Sequence, residues 1–192
     1  MPKVVDGAAQ RAEIREAARR AFGARGVAGT GLAHVADEAG MGRSSLYHYY
    51  PDKQSLVRDL IQDLLRDEEA LFAAVRDSSG SALERIEQLA RALPAVFREW
   101  SQLGTMIFDL WSRDAARFRP SFRQMRSNLA TVIREGQRDG EIDASLDAML
   151  TAGVVIGAID GLLLQHLIDP KAFTSVDAIA EAVAMLFRRA LR

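Results

Sequence analysis

The chain has 192 residues, of which 48% are hydrophobic and 27% are charged, and its formal net charge is −1. This composition is typical of a globular protein with a substantial core. Because there is no cysteine, disulfides, thiolate zinc sites and cysteine nucleophiles are excluded. The first seven residues contain no apolar segment of the signal-peptide kind, so we expect a cytoplasmic location.

Charge is distributed unevenly along the chain. Residues 1–53 hold eight Lys and Arg against six Asp and Glu, a formal charge of +2, whereas the remainder carries −3. A positive N-terminal part suits contact with phosphates, but a difference of this size is only a weak indicator by itself.

Apolar residues recur with helical spacing in almost every long segment. The first stripe runs from Ile14 to Phe22 and ends at Gly23 and Gly26. Two short helices are expected next, at about 32–39 and 43–49. No segment alternates with a period of two, so we predict an all-α fold of about nine helices.

The two short helices are joined by a turn that contains Gly40. Glycine there can adopt the left-handed conformation that ends a helix, and the small Ala36 lets a second helix approach closely. Two helices joined in this way have the layout of a helix-turn-helix, whose second helix enters the major groove of DNA. We therefore predict a DNA-binding domain at residues 1–53.

The outer side of the second short helix carries side chains that can contact DNA. Arginine can bind a guanine edge with two hydrogen bonds, and serine can donate to or accept from any base. Tyrosine at the end of the helix and lysine just beyond it are placed to contact the phosphate backbone of DNA. The residues predicted on this basis are Arg43, Ser44, Ser45, Tyr47, His48, Tyr49 and Lys53. Packing is the alternative role for the two tyrosines.

Longer helices are predicted beyond this domain. Asp52 is the expected N-cap of a helix with apolar residues from 56 to 75, and Ser81 with Glu84 forms a capping box for the next. Further helices are expected at about 103–111, 122–133 and 146–168, and Thr174 and Asp177 begin a final one. The domain boundary therefore falls inside the helix that starts near Asp52, and the second domain comprises residues 54–192.

The segment 148–168 is apolar and roughly long enough to span a membrane. Asp160 lies inside it, however, and an aspartate at a helix centre costs about 2.5–3.5 kcal/mol on insertion. We therefore predict a buried helix of a soluble bundle and no membrane partner.

The same segment contains glycines at every fourth position, which lie on one face of a helix. Without side chains there, another backbone can approach closely, so with the final helix the segment could form a self-complementary four-helix interface. The residues predicted for a homodimer interface are Gly153, Gly157, Gly161, Val183 and Phe187. Packing within one subunit is the alternative.

The middle helices are rich in aromatic and methionine side chains, which suits an apolar cavity with a few polar groups. The residues predicted to line a site for a small-molecule effector are Phe97, Trp100, Met106, Phe108, Trp111, Phe122, Met125 and Asp160. For each of them, an ordinary place in the core or at an interface is the alternative.

The N-terminal residues resemble the signature of the TetR family of transcriptional regulators. The residues that carry the resemblance are Gly26, Val27, Thr30, Val35, Ala36, Ala39, Gly40, the run Leu46-Tyr47-His48-Tyr49-Tyr50, Lys53 and Leu56. The resemblance adds Thr30 to the expected DNA contacts. It also implies a homodimeric repressor that binds a pseudo-palindromic operator and is released when a small ligand tilts the helix beginning at Asp52. Gly31 and Gly42 depart from the family, which often has a hydroxyl residue at these positions.

Catalysis is not expected. The three histidines are far apart, there is no HExxH pattern and no P-loop, and Gly29-Thr30-Gly31 only imitates a dinucleotide loop because no strand precedes it. We predict neither a cofactor nor a metal site. A ligand-independent DNA-binding or chromosome-organising protein on the same fold remains the alternative function.

Overall fold

A computed structural model describes residues 7–173 and 175–191, with the exception of eight side chains between residues 93 and 109. Within these residues the fold is all-α, as predicted. In chain order, the elements are α1 (Gly7–Arg25), α2 (Leu32–Glu38), α3 (Arg43–Tyr49), α4 (Lys53–Asp77), α5 (Ala82–Arg113), a 3-10 helix (Ala115–Phe118), α6 (Arg119–Arg138), α7 (Ala148–Ile168) and α8 (Val176–Ala190).

Helix ends follow the local signals of the sequence. The Asp52 carboxylate accepts a hydrogen bond from the backbone N–H of Ser55 at 2.6 Å, which lowers the pKa of Asp52. Ser81 and Glu84 form the capping box that begins α5. Both capping predictions are therefore confirmed. The predicted cap at Thr174 lies outside the described residues, and the Ser175 hydroxyl accepts from the Ala178 N–H to cap α8.

The count of nine helices in the described residues agrees with the prediction, but one boundary was wrong. The helix expected to end near 100 and the one expected at 103–111 are a single continuous helix, α5. The residues between them, Ser101 and Gln102, interrupt the apolar stripe without breaking the backbone, and an interior glycine such as Gly104 costs only about 1 kcal/mol. The ninth element is the 3-10 helix before α6.

The chain divides into two compact units. The first comprises residues 1–64 with 102–107, and the second comprises residues 65–101 with 108–192. In the first unit, α1, α2 and α3 bury one small core. The fully buried residues of this core include Ile14, Ala17, Ala18, Val35, Ala36, Leu46 and Leu60.

The core of the second unit is larger and draws on α4 to α8. Among the described residues, α7 is the helix that is long and apolar enough to cross a membrane. It is a core helix here, because one of its faces is buried within the second unit. That face consists of Ala148, Ala152, Val155, Ile156, Ile159 and Leu163.

Candidate nucleic-acid interface and ligand cavity

The turn between α2 and α3 sets the position of the second helix. Gly40 has a φ of +64°, in the left-handed region that favours glycine. The backbone N–H of Met41 then donates to the carbonyl of Ala36 at 3.0 Å, which closes the turn. Leu46 is fully buried and anchors α3 against the first unit. The layout of a helix-turn-helix predicted from the sequence is thus present.

The opposite face of α3 is open to solvent. Arg43, Ser44, Ser45, Tyr47 and His48 are all exposed, and Tyr47 exposes 53% of its surface. A hydrophobic anchor behind a row of polar and aromatic side chains is the arrangement of a recognition helix, whose exposed residues reach the edges of bases. The structure therefore brings five of the predicted DNA contacts together on one surface.

Tyr49 lies at the edge of this surface, where it is half-buried. The guanidinium of Arg11, on α1, lies 5.8 Å from the centre of the Tyr49 ring and 5.0 Å from that of Tyr50. Such a distance permits a cation–π contact. Arg11 was not singled out from the sequence, because α1 shows no motif that would mark one of its several arginines.

Two other predicted DNA contacts are engaged inside the first unit. Thr30 is only 1% exposed, and its hydroxyl donates to backbone carbonyls of Ala21 and Gly26. The Lys53 ammonium donates to the carbonyls of Val27 and Thr30 at 2.8 and 3.1 Å. The structure thus does not bring Thr30 to the surface, and it ties Lys53 to the connection between α1 and α2.

Gly31 and Gly42, where the signature often has a hydroxyl residue, lie at the starts of α2 and α3. Gly31 precedes α2, and its N–H donates to Nδ1 of His34 at 3.1 Å, so a histidine closes the helix start. Gly42 precedes α3 in an extended conformation and offers no side-chain cap.

A small apolar cavity of about 30 Å³ lies inside the second unit. Met125 and Asp160, two of the predicted ligand residues, line it together with Glu68. The remaining lining residues are Leu71, Phe72, Leu89, Val96, Ile156, Ile159 and Leu163. Glu68 was missed, although its spacing from Leu64, Leu65 and Leu71 places it on the apolar side of α4.

Asp160 is the most unusual residue of this cavity. Burial raises the pKa of Asp160 to about 6, because the charged carboxylate loses hydration among apolar neighbours. Since an ionised buried carboxylate is costly without a partner, a positively charged group placed beside Asp160 would stabilise its ionised form.

The other predicted ligand residues are dispersed. Phe97 is buried in the core and lies against the ring of His166, with the ring centres 5.3 Å apart. Phe108 and Trp111 form an edge-to-face pair at 5.8 Å, and half of the Trp111 surface is exposed. Phe122 packs against the core. The side chains of Trp100 and Met106 lie outside the described residues.

The predicted interface residues divide between a surface and the core. At Gly157 and Gly161, an added Cβ would meet no atom within 4 Å, whereas at Gly153 it would meet the side chain of Arg126. Val183 and Phe187 lie on the inner side of α8 in the core of their own chain, so little of either side chain is exposed for contact with a second copy. The apolar side chains exposed on α7 and α8 are Met149, Leu150, Val154, Leu164, Ile168, Met185 and Leu186.

The chain matches two protein-family models. Residues 14–60 match the model of bacterial regulatory proteins of the tetR family, and residues 113–190 match the C-terminal model of BetI-type transcriptional repressors.

Known proteins resemble parts of the chain. It is 37% identical over 89 residues to the HTH-type transcriptional regulator TtgR of Pseudomonas putida. This match covers 46% of this chain and 41% of that protein. It is 34% identical over 83 residues to the HTH-type transcriptional repressor KstR2 of Mycobacterium tuberculosis, which covers 43% of this chain and 42% of the relative. The chain therefore spans less than half the length of these curated relatives.

A solved structure matches along nearly the whole chain. The crystal structure of a transcriptional regulator from Saccharomonospora viridis in complex with choline has a TM-score of 0.79. It is 21% identical and covers 94% of this chain and 96% of that chain. At this identity, the likeness shows that the fold is shared.

A helix-turn-helix with an exposed recognition surface defines a DNA-binding protein. The two family models identify the family of DNA-binding protein. The chain belongs to the TetR family of transcriptional regulators, with a C-terminal domain of the BetI type. Members of this family regulate transcription and are not enzymes, so the prediction of a non-enzymatic protein is confirmed.

Proposed function

We propose that the protein is a cytoplasmic, homodimeric repressor that binds a pseudo-palindromic operator and is released by a small ligand. The observation that carries the proposal is the division of α3 into two faces. Leu46 is fully buried, whereas the neighbouring Tyr47 exposes 53% of its surface within a row of polar residues. A helix held by its inner side and polar on its outer side is suited to insertion in a groove.

The exposed apolar residues of α7 and α8 support self-association. Leu150, Val154 and Leu186 each expose 60% or more of their surface, and the open positions of Gly157 and Gly161 permit close approach of another backbone. An exposed apolar surface of this kind typically marks a contact with another protein. We assign it to a second copy of the chain, because a two-fold axis would pair the α7 and α8 helices into a four-helix interface.

A two-fold dimer constrains the operator. The two α3 helices would lie in successive major grooves on one side of the duplex, about 34–36 Å apart. The operator is therefore expected to contain two inverted half-sites whose centres are one helical turn apart.

For the effector, we propose a molecule with an apolar or aromatic body and a positively charged group. The cavity is lined mainly by apolar side chains, and Asp160 supplies negative charge when it is ionised. The related fold in complex with choline supports a cationic ligand. Because the cavity holds only about 30 Å³, such a ligand must move its walls on binding.

One of these walls is α4, a continuous helix that begins beside the recognition helix and extends to Asp77. A shift of α4 would change the spacing of the two α3 helices and weaken DNA binding.

DNA binding is tested first. Double-stranded DNA selected from random sequence by the purified protein should contain an inverted repeat, and Tyr47→Ala should abolish specific binding while leaving the dimer intact. Trp111→Ala is the matched control, because Trp111 is an aromatic residue of similar exposure in the second unit. Equal binding by both variants, or failure to select any sequence, would contradict the proposal.

The effector is tested with a charged probe and its neutral analogue. Choline and 3,3-dimethylbutan-1-ol have nearly the same shape, but only choline carries a charge. Choline should raise the melting temperature and release DNA, the neutral analogue should do neither, and Asp160→Asn should weaken the response to choline. If a library of organic cations leaves DNA binding unchanged, the cationic effector is excluded, and failure of a general metabolite library as well would favour a ligand-independent DNA-binding protein.

A further inference from the structure

The first residue of α4 is tied to a loop far from it in the sequence. The ammonium group of Lys53 donates hydrogen bonds to the backbone carbonyls of Val27 at 2.8 Å and Thr30 at 3.1 Å. Both acceptors lie in the connection between α1, which ends at Arg25, and α2, which begins at Leu32. Lys53 thus joins the start of α4 to the segment that leads into the helix-turn-helix.

A cation is unfavourable at this position unless it has partners. The N-terminus of a helix carries the positive end of the helix dipole, so a lysine at the first position opposes it. Two carbonyl oxygens within hydrogen-bond distance of the Lys53 ammonium offset that cost. Because an ammonium group has three N–H donors, two of the three are occupied inside the protein.

Thr30 fastens the same connection from the other side. Its hydroxyl lies 2.8 Å from the carbonyl oxygen of Gly26 and 3.3 Å from that of Ala21, at the C-terminal end of α1. With 1% of its surface exposed, Thr30 has no surface left for DNA. Together, Thr30 and Lys53 bond four backbone carbonyls in and beside the α1–α2 connection, which has little other regular structure.

We propose that Thr30 and Lys53 form an internal clasp that positions the α1–α2 connection, and with it the helix-turn-helix, for DNA binding. Both are positioning residues in this proposal, and neither contacts a phosphate. The inference rests on the proposed DNA-binding function. It differs from the expectation drawn from the sequence, in which Thr30 and Lys53 contact DNA directly.

The first unit is expected to fold without the clasp, because other bonds join α4 to it. The Tyr50 hydroxyl donates to the Asp59 carboxylate at 2.8 Å. Arg15, on α1, forms an ion pair with Asp63. Variants of the clasp should therefore remain folded and measurable.

The dependence of DNA affinity on salt separates a phosphate contact from a positioning role. The logarithm of the DNA association constant falls as the logarithm of the salt concentration rises. Each phosphate contact that is lost makes this negative slope shallower by about 0.9. Lys53→Met removes the charge and keeps the length of the side chain, and Thr30→Val removes only the hydroxyl. If the clasp positions the domain, each variant should lose roughly threefold or more in operator affinity, a loss of at least about 0.7 kcal/mol, while the slope stays at its wild-type value.

Amide hydrogen exchange of the free protein supplies a second readout. Residues 26–31 should exchange faster in both variants, because their backbone loses its fastening. The double variant should lose less affinity than the product of the single losses, since both residues hold one connection. Ile133→Val, in the core of the second unit, is the control for mild destabilisation and should change neither readout.

The outcomes are distinct. An unchanged slope with faster exchange at residues 26–31 supports the clasp. The clasp is overturned if the salt slope of Lys53→Met becomes shallower by about 0.9. It is also overturned if amide exchange at residues 26–31 stays unchanged. If the wild-type protein binds no DNA, the proposed function fails, and the exchange measurement still decides whether the clasp exists.

Discussion

Helices α3 and α7 both bury one apolar face, but they expose opposite kinds of surface. The outer face of α3 is polar, with Ser44, Ser45 and His48 beside Tyr47, whereas the outer face of α7 is mainly apolar, with open glycines and the polar Gln165. A polar exposed face can meet a hydrated and charged partner such as DNA. An exposed apolar surface typically marks a contact with another apolar surface. The two helices therefore indicate two different partners for the same chain.

The largest effect is expected where the exposed apolar residues of α7 and α8 are disrupted. In the proposed dimer, Val154→Glu or Leu186→Glu would bury a carboxylate between the two copies, and an unpaired buried charge costs several kcal/mol. The dimer dissociation constant should rise by about 100-fold or more. Sedimentation would then give the 21.1 kDa mass of a single chain instead of twice that mass.

Ala74→Glu is the control for this experiment, because Ala74 is an exposed residue of α4 and belongs to neither α7 nor α8. It should leave the dimer intact. A wild-type protein that sediments as a monomer would show that the surface has another partner.

The two faces of α3 can be separated by neighbouring substitutions. Leu46→Ala removes a fully buried side chain and should lower the free energy of unfolding by about 2–5 kcal/mol. Tyr47→Ala removes an exposed one and should change it by less than about 0.5 kcal/mol. Urea unfolding of the two variants measures the difference. Similar losses in both would mean that Tyr47 packs against the domain.

Asp160 lies between the two faces of α7, because its neighbours are the buried Ile159 and Gly161, which has open space beside it. A substitution of Asp160 therefore tests the environment at the edge of the buried face. The pKa of Asp160 is 3.8 in an unfolded chain and about 6 in the fold, so the folded state binds the proton more tightly. The carboxyl therefore destabilises the fold progressively as pH rises from about 4 to 6, and by a constant amount above that. Asp160→Asn should raise stability at pH 8 by roughly 2–3 kcal/mol and have little effect at pH 3.5.

Thermal unfolding across this pH range checks the prediction. Asp67→Asn is the matched control, because Asp67 is exposed on α4, and it should give no comparable gain in stability at pH 8. A gain for Asp160→Asn that is the same at both pH values would contradict the assignment of the raised pKa to this residue.

The smallest effects concern the turn before α3. Gly42 has an extended backbone with a φ of −66°, so Gly42→Ser can cap α3 and should gain a few tenths of a kcal/mol. Gly40 has a φ of +64°, where a serine is strained, so Gly40→Ser should lose about 1 kcal/mol. The same substitution two residues apart should thus change stability in opposite directions, as measured by urea unfolding.

Local signals explain why much of the fold could be predicted. Asp52, Ser81 and Gly40 act within a few residues of their own positions, and the apolar spacing of α1 identifies its buried side. The continuous α5 escaped prediction because an interrupted apolar stripe and an interrupted helix look alike in the sequence. Its continuity depends on what packs beside it.

The sequence by itself determined most of the helices, the caps at Asp52 and Ser81, the helix-turn-helix and the exposed row from Arg43 to His48, because these depend on spacing along one chain segment. Only the tertiary structure decided the roles that depend on distant segments. It placed Thr30 and Lys53 around the α1–α2 connection, turned Val183 and Phe187 inward, and brought Glu68 and Asp160 to one cavity. The physical reason is that a hydrogen bond or a cavity wall is shared between residues that the sequence holds far apart.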